Sequence, residues 1–234
     1  MSSILRNLQA VHARIDAAAH SAARDPQDVI LLAVSKTFGA DAVIEAALAG
    51  QIAFGENYLQ EALDKMDAVR AARPEAPIEW HFIGPIQSNK TRAIATHFDW
   101  VHSIERLNIA QRLSSARPAH LPPLNVCLQV NISGEGSKSG ASPDEALALA
   151  RAIADLPRLQ LRGLMAIPAA TEDEQEQRAA FKRLRELQEF LCNEGLALDI
   201  LSMGMSADLA AAIAEGATIV RVGSAIFGSR DYAK

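Results

Sequence analysis

Apolar runs alternate with amphipathic stretches along the whole chain. The run from Val29 to Val34 contains only Val, Ile, Leu and Ala and leads into Lys36, which predicts a strand buried on both faces of a parallel sheet. Seven further strand-like runs follow, and they end near Phe54, Ile83, His102, Val130, Met165, Ser202 and Val222. Helix-like stretches separate these runs, so the chain repeats a strand followed by a helix eight times.

The helix-like stretches have ordinary start and stop signals. An amphipathic helix precedes the first strand, and the others cover residues 40–49, 58–72, 87–97, 104–116, 143–154, 172–193 and 207–215, with a short one from Ser224. Gly50, Gly195 and Gly216 follow three of them, as expected for helix C-termini. Ser206 is predicted to be the N-cap of the helix at 207–215.

Eight strand–helix units with short connections predict a (β/α)8 barrel, an α/β fold with one extra N-terminal helix. The length of 234 residues is close to the roughly 250 that are usual for this fold. A doubly wound open sheet shares the alternation and is the alternative, but eight evenly spaced units favour the barrel. Because no linker or change in composition interrupts the chain, we expect a single domain over residues 1–234.

Composition and charge exclude several classes of function. The net charge of −5 and the lack of a long basic run argue against a nucleic-acid-binding protein. The short cluster Lys90-Thr91-Arg92 is predicted to be a solvated helix face. No apolar run reaches the roughly 18 residues that a membrane helix needs, and the charged N-terminal stretch is not a signal peptide. Cys127 and Cys192 are expected to be reduced thiols in a cytoplasmic protein.

The carboxyl ends of all eight strands of a barrel meet at one mouth, where ligands bind. Lys36 follows the first strand and therefore lies at this mouth. Two interpretations are open for its side chain. It either extends into water, or it is partly desolvated and attacks a carbonyl group to form a Schiff base.

The last two loops at the mouth are predicted to bind phosphate. Residues 202–206 offer two hydroxyl groups and a glycine before a helix, and Gly223-Ser224 comes before another helix. Phosphate sites in these barrels frequently form after strands seven and eight, where helix N-termini present free N–H groups. The alternatives are that Ser206 only caps a helix and that Gly223 only allows tight packing.

Arg221 interrupts the apolar strand Ile219–Val222, and a cation there needs a partner or a cavity. One interpretation is an ion pair with a carboxylate from a neighbouring strand, and the other is a hydrogen bond to a ligand. An arginine that faces a pyridine nitrogen does not give up its proton. The pyridine would stay neutral and would be a poor electron sink.

A set of motifs in order along nearly the whole chain resembles the YggS/PROSC family of pyridoxal phosphate homeostasis proteins. The motifs are Ala33-Val34-Ser35-Lys36, Gly55-Glu56-Asn57, 81–90, Val130-Asn131-Ile132-Ser133, 201–206 and 221–228. No single motif is decisive, but their order is highly specific. The family often has threonine after the glycine of the last motif, where this chain has Ser224, which keeps the hydroxyl group.

The resemblance implies the barrel fold of the alanine racemase N-terminal domain, with pyridoxal 5'-phosphate (PLP) bound as a Schiff base. It also implies a set of PLP-binding residues, namely Lys36, Asn57, Ser202, Met203, Ser206, Arg221, Gly223 and Ser224. In this set Lys36 forms the Schiff base and Arg221 faces the pyridine nitrogen. The phosphate is held by Ser206, Gly223 and Ser224, Ser202 and Met203 line the site, and Asn57 lies beside the ring.

The family resemblance favours a non-catalytic PLP-binding protein over an enzyme. We expect a monomer that takes part in PLP (vitamin B6) homeostasis and acts as a carrier for PLP-dependent apo-enzymes. Glu135 and Lys138, in the loop after the fifth strand, either gate the mouth or receive PLP, or belong to a solvated loop. No metal site is expected.

Two enzyme hypotheses remain as alternatives. A PLP-dependent amino-acid racemase needs a base on each face of the cofactor. The related racemases take the second base from an extra β domain, for which we expect no room after the last strand, and Tyr58 and Tyr232 are the only tyrosines. A Schiff-base aldolase would use the same lysine on a phosphosugar without PLP.

Overall fold

The computed structural model describes residues 3–135 and 138–228. Eight parallel strands form a closed barrel in chain order. They are β1 (Ile30–Val34), β2 (Ala53–Glu56), β3 (Glu79–Phe82), β4 (Trp100–Ile104), β5 (Leu124–Gln129), β6 (Leu159–Met165), β7 (Ile200–Ser202) and β8 (Ile219–Val222). All eight predicted strands are confirmed, and the pairing of β8 with β1 excludes the open sheet.

Helices surround the barrel and connect its strands. Those within the described residues are α1 (Ser3–Ser21), α2 (Ala40–Leu48), α3 (Leu59–Ala72), α4 (Thr91–His97), α5 (Leu107–Ala116), α6 (Ala146–Ala154), α7 (Glu174–Asn193), α8 (Leu209–Ala214) and α9 (Ser224–Phe227). None of them combines the length and the apolar character that crossing a membrane requires. The extra N-terminal helix is confirmed as α1.

Several helix starts differ from the prediction. The helix predicted at 104–116 begins at Leu107, because Ile104 is still paired in β4. The helices predicted at 87–97 and 143–154 begin with 3-10 turns, Ser88–Lys90 and Pro143–Glu145, which tighten the first turn.

Ser206 is not the N-cap of α8, so this prediction is wrong. The helix begins two residues later, with Asp208 at the N-cap position. The Asp208 carboxylate accepts a hydrogen bond from the Met205 backbone N–H at 2.6 Å, which closes a turn ahead of the helix. Ser206 therefore lies within the loop between β7 and α8 rather than at the helix start.

The apolar residues form two layers. One layer fills the space between the strands and the helices and includes Leu31 and Ala33 of β1. The other fills the interior of the barrel and includes Leu32, Trp100 and Cys127. Because neighbouring residues of a strand point to opposite faces, both faces of β1 are buried, as its unbroken apolar run predicted. Both cysteines are free thiols.

Helix α1 supports the two loops that follow β7 and β8. Its apolar stripe, which includes Ile4, Leu8 and Val11, is buried against the rest of the protein. The Arg14 guanidinium donates to the Ser206 carbonyl oxygen at 2.8 Å. The Asn7 side-chain amide donates to the carbonyl oxygen of Ile226, in α9, also at 2.8 Å. The predicted phosphate loops are thus held from outside the barrel.

Candidate functional site

A cavity of about 290 Å³ opens at the carboxyl ends of the strands. Its volume is at the lower end of the roughly 300–1,000 Å³ typical of small-molecule sites. Most of the predicted PLP-binding residues line it. The wall is formed by Val34, Lys36, Asn57, Ile83, Met165, Ile167, Met205, Ser206, Ala207, Arg221, Gly223 and Ser224. We call this space the mouth cavity.

Lys36 lies in the turn after β1, and its half-buried side chain lines the mouth cavity. The residues on either side of it are fixed. Ser35 is fully buried, and its hydroxyl group donates to the Glu56 carboxylate at 2.7 Å. Thr37 has a positive φ of 70°, which sharply turns the chain away from the direction of the strand. The structure places Lys36 at the wall of the cavity, and a Schiff base on its amine stays a prediction.

Arg221 lines the same cavity while most of its side chain is buried. Its Nη1 donates to the Ser202 carbonyl oxygen at 2.6 Å and to Ser202 Oγ at 2.9 Å, and Nη2 donates to the Ala166 carbonyl oxygen at 2.9 Å. No carboxylate of the described residues forms an ion pair with it. Burial lowers the pKa of Arg221 to about 10, so the guanidinium is still charged at neutral pH.

The predicted phosphate end of the cavity is formed by Ser206 of one loop and by Gly223 and Ser224 of the other. A Cβ atom at Gly223 would lie 3.1 Å from the Val34 carbonyl oxygen, so glycine allows β8 to approach β1 closely there. Helix α9 begins at Ser224. The first N–H groups of a helix have no acceptor within the helix, so they are available to a ligand together with the two hydroxyl groups.

Ser202 and Met203 do not line the mouth cavity. Both are fully buried below it, because β7 ends at Ser202 and the loop turns outward only after Gly204. The Met203 side chain belongs to the apolar layer between strands and helices. Ser202 contacts the site indirectly, since its carbonyl oxygen and hydroxyl group hold Arg221.

Two buried histidines extend the contacts of Ser202 into the barrel. His102 Nδ1 lies 2.8 Å from Ser202 Oγ, and its Nε2 lies 2.9 Å from His81 Nδ1. Burial lowers the pKa of His81 and lowers that of His102 well below its usual range, with His81 and Arg221 adding to the effect at His102. Neutral imidazoles have one donor and one acceptor, so the pair forms a chain of hydrogen bonds below Arg221.

Comparison with known proteins gives the same family as the sequence motifs. Residues 6–231 match the model of the alanine racemase N-terminal domain. A pyridoxal phosphate homeostasis protein of Pseudomonas aeruginosa is 63% identical over 99% of this chain and 98% of its own length. One of Escherichia coli is 52% identical over the full length of both chains. The chain belongs to the pyridoxal phosphate homeostasis protein family.

Solved structures agree with this assignment. PipY of Synechococcus elongatus, solved with PLP bound, is 36% identical, with a TM-score of 0.82 over 96% of this chain and 100% of its own. Alanine racemase of Corynebacterium glutamicum is 19% identical, with a TM-score of 0.66, and shows a shared fold. This chain covers 99% of its own length but 62% of that racemase.

Asn57 lines both the mouth cavity of this family member and a second cavity of about 330 Å³, as do Ile83 and Ile167. The Asn57 Oδ1 atom is buried and accepts no hydrogen bond within the described residues. Lys138 lines the second cavity rather than the mouth cavity, and its amine lies 3.7 Å from a Glu135 carboxylate oxygen. A gating or receiving role for these two residues stays a prediction, and residues 136–137 between them lie outside the described residues.

Sequence reasoning missed the apolar part of the wall and the histidine pair. Val34 is the last residue of β1 and Ile83 directly follows β3. Both continue the alternation of inward- and outward-facing side chains along these strands, so their direction can be predicted from it. The same alternation puts His81 and His102 inside the barrel, where a histidine is unusual. Ile167 and Met205 lie in loops, for which no periodic pattern exists.

Proposed function

We propose that this protein binds PLP in the mouth cavity, holds it as a Schiff base on Lys36 and takes part in PLP homeostasis without catalysing a reaction of amino acids. The observation that carries the proposal is the cavity wall itself. It brings a lysine, a buried arginine and two hydroxyl-bearing loops around one space of about 290 Å³. The names of the relatives and the PLP bound to PipY support the same ligand.

The residues of the cavity fit PLP chemically. When bound, PLP supplies an aldehyde that reacts with a primary amine. Lys36 would supply that amine, and a Schiff base would form with the loss of one water molecule. Asn57 lines the same cavity, and we assign it a place beside the ring of the ligand. Ile83 and Met165 supply apolar surface in the same wall, against which the ring would lie.

The charge of the cavity also fits an anionic ligand. Lys36 and Arg221 are the ionisable side chains of the wall, and no carboxylate lines it within the described residues. We assign the phosphate to Ser206, Gly223 and Ser224, where hydroxyl groups and backbone N–H groups donate. We assign Arg221 to the pyridine nitrogen. Because this arginine keeps its proton at neutral pH, the ring nitrogen stays unprotonated and PLP remains a weak electron sink.

The same wall supports a binding protein rather than a racemase. Racemisation removes a proton from one face of the substrate and returns one to the other, which needs two bases. The wall offers Lys36 but no histidine, tyrosine, cysteine or carboxylate as a second base among its described residues. Tyr58 is exposed outside the wall, and Tyr232 lies outside the described residues.

We further propose that the protein acts as a monomeric single-domain carrier in the cytoplasm that passes PLP to apo-enzymes. A cavity that opens directly to solvent at the barrel mouth allows the ligand to leave without a large rearrangement. Ser202 and Met203 take part indirectly in this proposal, Ser202 by holding Arg221 and Met203 by packing the loop that carries Ser206.

The test has two arms. PLP is first added to the purified protein, and its absorbance is followed in the parent and in Lys36→Ala. The loaded protein is then mixed with an apo-enzyme that needs PLP, with a phosphatase present to destroy free PLP. We expect a Schiff-base absorbance in the parent only and recovery of apo-enzyme activity despite the phosphatase. Exchange of the α-proton of alanine in D₂O, faster than with free PLP, would instead support the racemase.

A further inference from the structure

Lys65, on α3, is a buried lysine close to the Lys36 turn. Its side chain is 3% exposed, and its Nζ donates to three oxygens: Glu56 Oε1 at 2.5 Å, the Ser35 carbonyl oxygen at 2.8 Å and Glu61 Oε1 at 3.1 Å. Three acceptors satisfy all three protons of an ammonium group. We call these four residues, Ser35, Glu56, Glu61 and Lys65, the turn cluster.

The turn cluster holds the backbone on both sides of Lys36. Before it, Lys65 binds the Ser35 carbonyl oxygen, and the Ser35 hydroxyl group donates to Glu56 Oε1 at 2.7 Å. After it, the Thr37 backbone N–H donates to Glu61 Oε1 at 2.6 Å. Thr37 has a φ of 70°, a conformation that a β-branched residue adopts only when its surroundings impose it. The turn cluster supplies that constraint.

Stability alone does not explain this arrangement. Glu56 is completely buried, and its Oε2 atom has no hydrogen-bond partner within the described residues. Burial raises the pKa of the Glu56 carboxyl group, and the Lys65 ammonium opposes that shift. Buried ion pairs are often no more stabilising than a well-packed apolar pair of the same volume. An apolar pair could join β2 to α3, but it could not bind the Ser35 carbonyl group or orient Glu61.

We propose that Lys65 is a positioning residue for Lys36: with Glu56 and Glu61, it fixes the 35–37 turn so that the Lys36 amine is presented to the aldehyde of a bound ligand. This inference rests on the proposed function, in which Lys36 reacts with PLP. It assigns no contact between Lys65 and the ligand, since Lys65 is not part of the cavity wall.

The experiment compares the rate of Schiff-base formation with the affinity for a ligand that cannot react. The double variant Lys65→Met, Glu56→Gln removes the ion pair without leaving a single buried charge. The rate of Schiff-base formation with PLP is followed by absorbance. The Kd of pyridoxine 5'-phosphate, which carries an alcohol in place of the aldehyde and cannot react, is measured by calorimetry. We expect the reaction to slow by about tenfold or more, because small misplacements of a reacting group are costly, while the Kd changes by less than about twofold.

A control variant removes an ion pair elsewhere, in which the carboxylate is buried and the arginine is half-exposed. In Arg178→Met, Glu215→Gln the lost pair joins α7 to the residue directly after α8, where Arg178 Nη2 lies 2.7 Å from Glu215 Oε1. We expect this variant to leave both the rate and the Kd unchanged. Glu61→Ala is the second test variant, since Glu61 is half-buried and its loss spares the buried pair. It is expected to slow the reaction several-fold while circular dichroism shows a folded protein.

The outcomes separate the positioning role from the proposed function. An equal loss of rate and of pyridoxine 5'-phosphate binding would mean that the turn cluster only supports the cavity, and would overturn the inference. An unchanged rate in both test variants would overturn it as well. If the parent protein binds PLP without any reaction at Lys36, the proposed function itself fails.

Discussion

Two arginines inside the same barrel are held in opposite ways. At the base, Arg162 of β6 forms an ion pair with Asp199, with 2.8 Å between Nε and Oδ1, and its guanidinium lies 5.1 Å from the centre of the Trp100 ring. The hydrogen bond to Asp199 raises the pKa of Arg162. At the mouth, Arg221 donates only to neutral oxygens of Ser202 and Ala166, and burial lowers its pKa to about 10.

The difference shows where the barrel keeps a positive charge for a ligand. A carboxylate partner at the base neutralises Arg162, so that arginine contributes to the fold alone. Neutral acceptors at the mouth fix the direction of Arg221 without neutralising its charge. An anionic ligand therefore finds a fixed cation at the mouth, and the cation needs no rearrangement to interact with it.

Replacing each arginine with glutamine tests this difference between the mouth and the base most directly. Arg221→Gln removes the charge but keeps a donor for the carbonyl oxygens. We expect the Kd for PLP, measured by absorbance titration, to rise about 10- to 100-fold, since hydrogen bonds to charged groups contribute about 1.5–3 kcal/mol.

The matched variant Arg162→Gln leaves Asp199 without its partner. We expect a lower melting temperature and a Kd for PLP within about twofold of the parent. Equal losses of PLP affinity in the two variants would contradict the distinction between mouth and base.

The histidine chain below Arg221 makes stability depend on pH. Because burial lowers the pKa of His81 and His102 in the folded protein, the unfolded chain binds more protons below its histidine pKa of about 6.5. The free energy of unfolding should therefore fall as the pH drops below about 6.5, by up to about 1.4 kcal/mol per pH unit for each histidine. Urea unfolding at pH 7.5, 6.5 and 5.5 measures this slope.

Replacing single histidines shows which of them cause the change of unfolding free energy with pH. His102→Gln removes one of the two titrating groups, so the slope between pH 6.5 and 5.5 should be smaller by about 1 kcal/mol per unit. The exposed His120, replaced by glutamine, is the control and should leave the slope unchanged. A parent protein whose stability is constant down to pH 5.5 would rule out two neutral buried rings.

The smallest expected effect concerns the thiol of Cys127, in the barrel interior between the base and the mouth. Cys127, on β5, is fully buried, and burial raises the pKa of its thiol to about 12, whereas Cys192 is half-buried. We expect a thiol reagent at pH 8 to modify Cys192 but not Cys127 in the folded protein and both in urea. Rapid labelling of Cys127, mapped by mass spectrometry, would mean that solvent reaches the interior from the mouth.

The fold was predictable because its main signal is local. Each of the eight buried strands is an apolar run with a turn or helix signal behind it, and the count alone favours a closed barrel. Lys36, Ser206, Arg221 and Ser224 could be brought together before any coordinates, since strand ends of a barrel share one mouth. The family motifs added Asn57, which has no distinctive local pattern.

The remaining features depend on contacts between distant parts of the chain. Lys65 was overlooked because lysine in an amphipathic helix is usually solvated, although its neighbours Ala62, Met66 and Val69 mark the buried face of α3. The sequence pattern favours Ser206 as the helix cap, but Asp208 occupies that position and accepts a hydrogen bond from the Met205 N–H. The family motifs predict Ser202 in the wall, but it is the last residue of β7 and does not line the mouth cavity.

The central claim is that the Lys36 amine bonds covalently to PLP at the mouth. Borohydride reduction of the PLP-loaded protein, followed by peptide mass mapping, tests it most directly because reduction makes the bond permanent. We predict that the added mass lies on the peptide containing Lys36 and that Lys36→Ala takes up none. Modification of surface lysines such as Lys90 or Lys182, with Lys36 unmodified, would contradict the account.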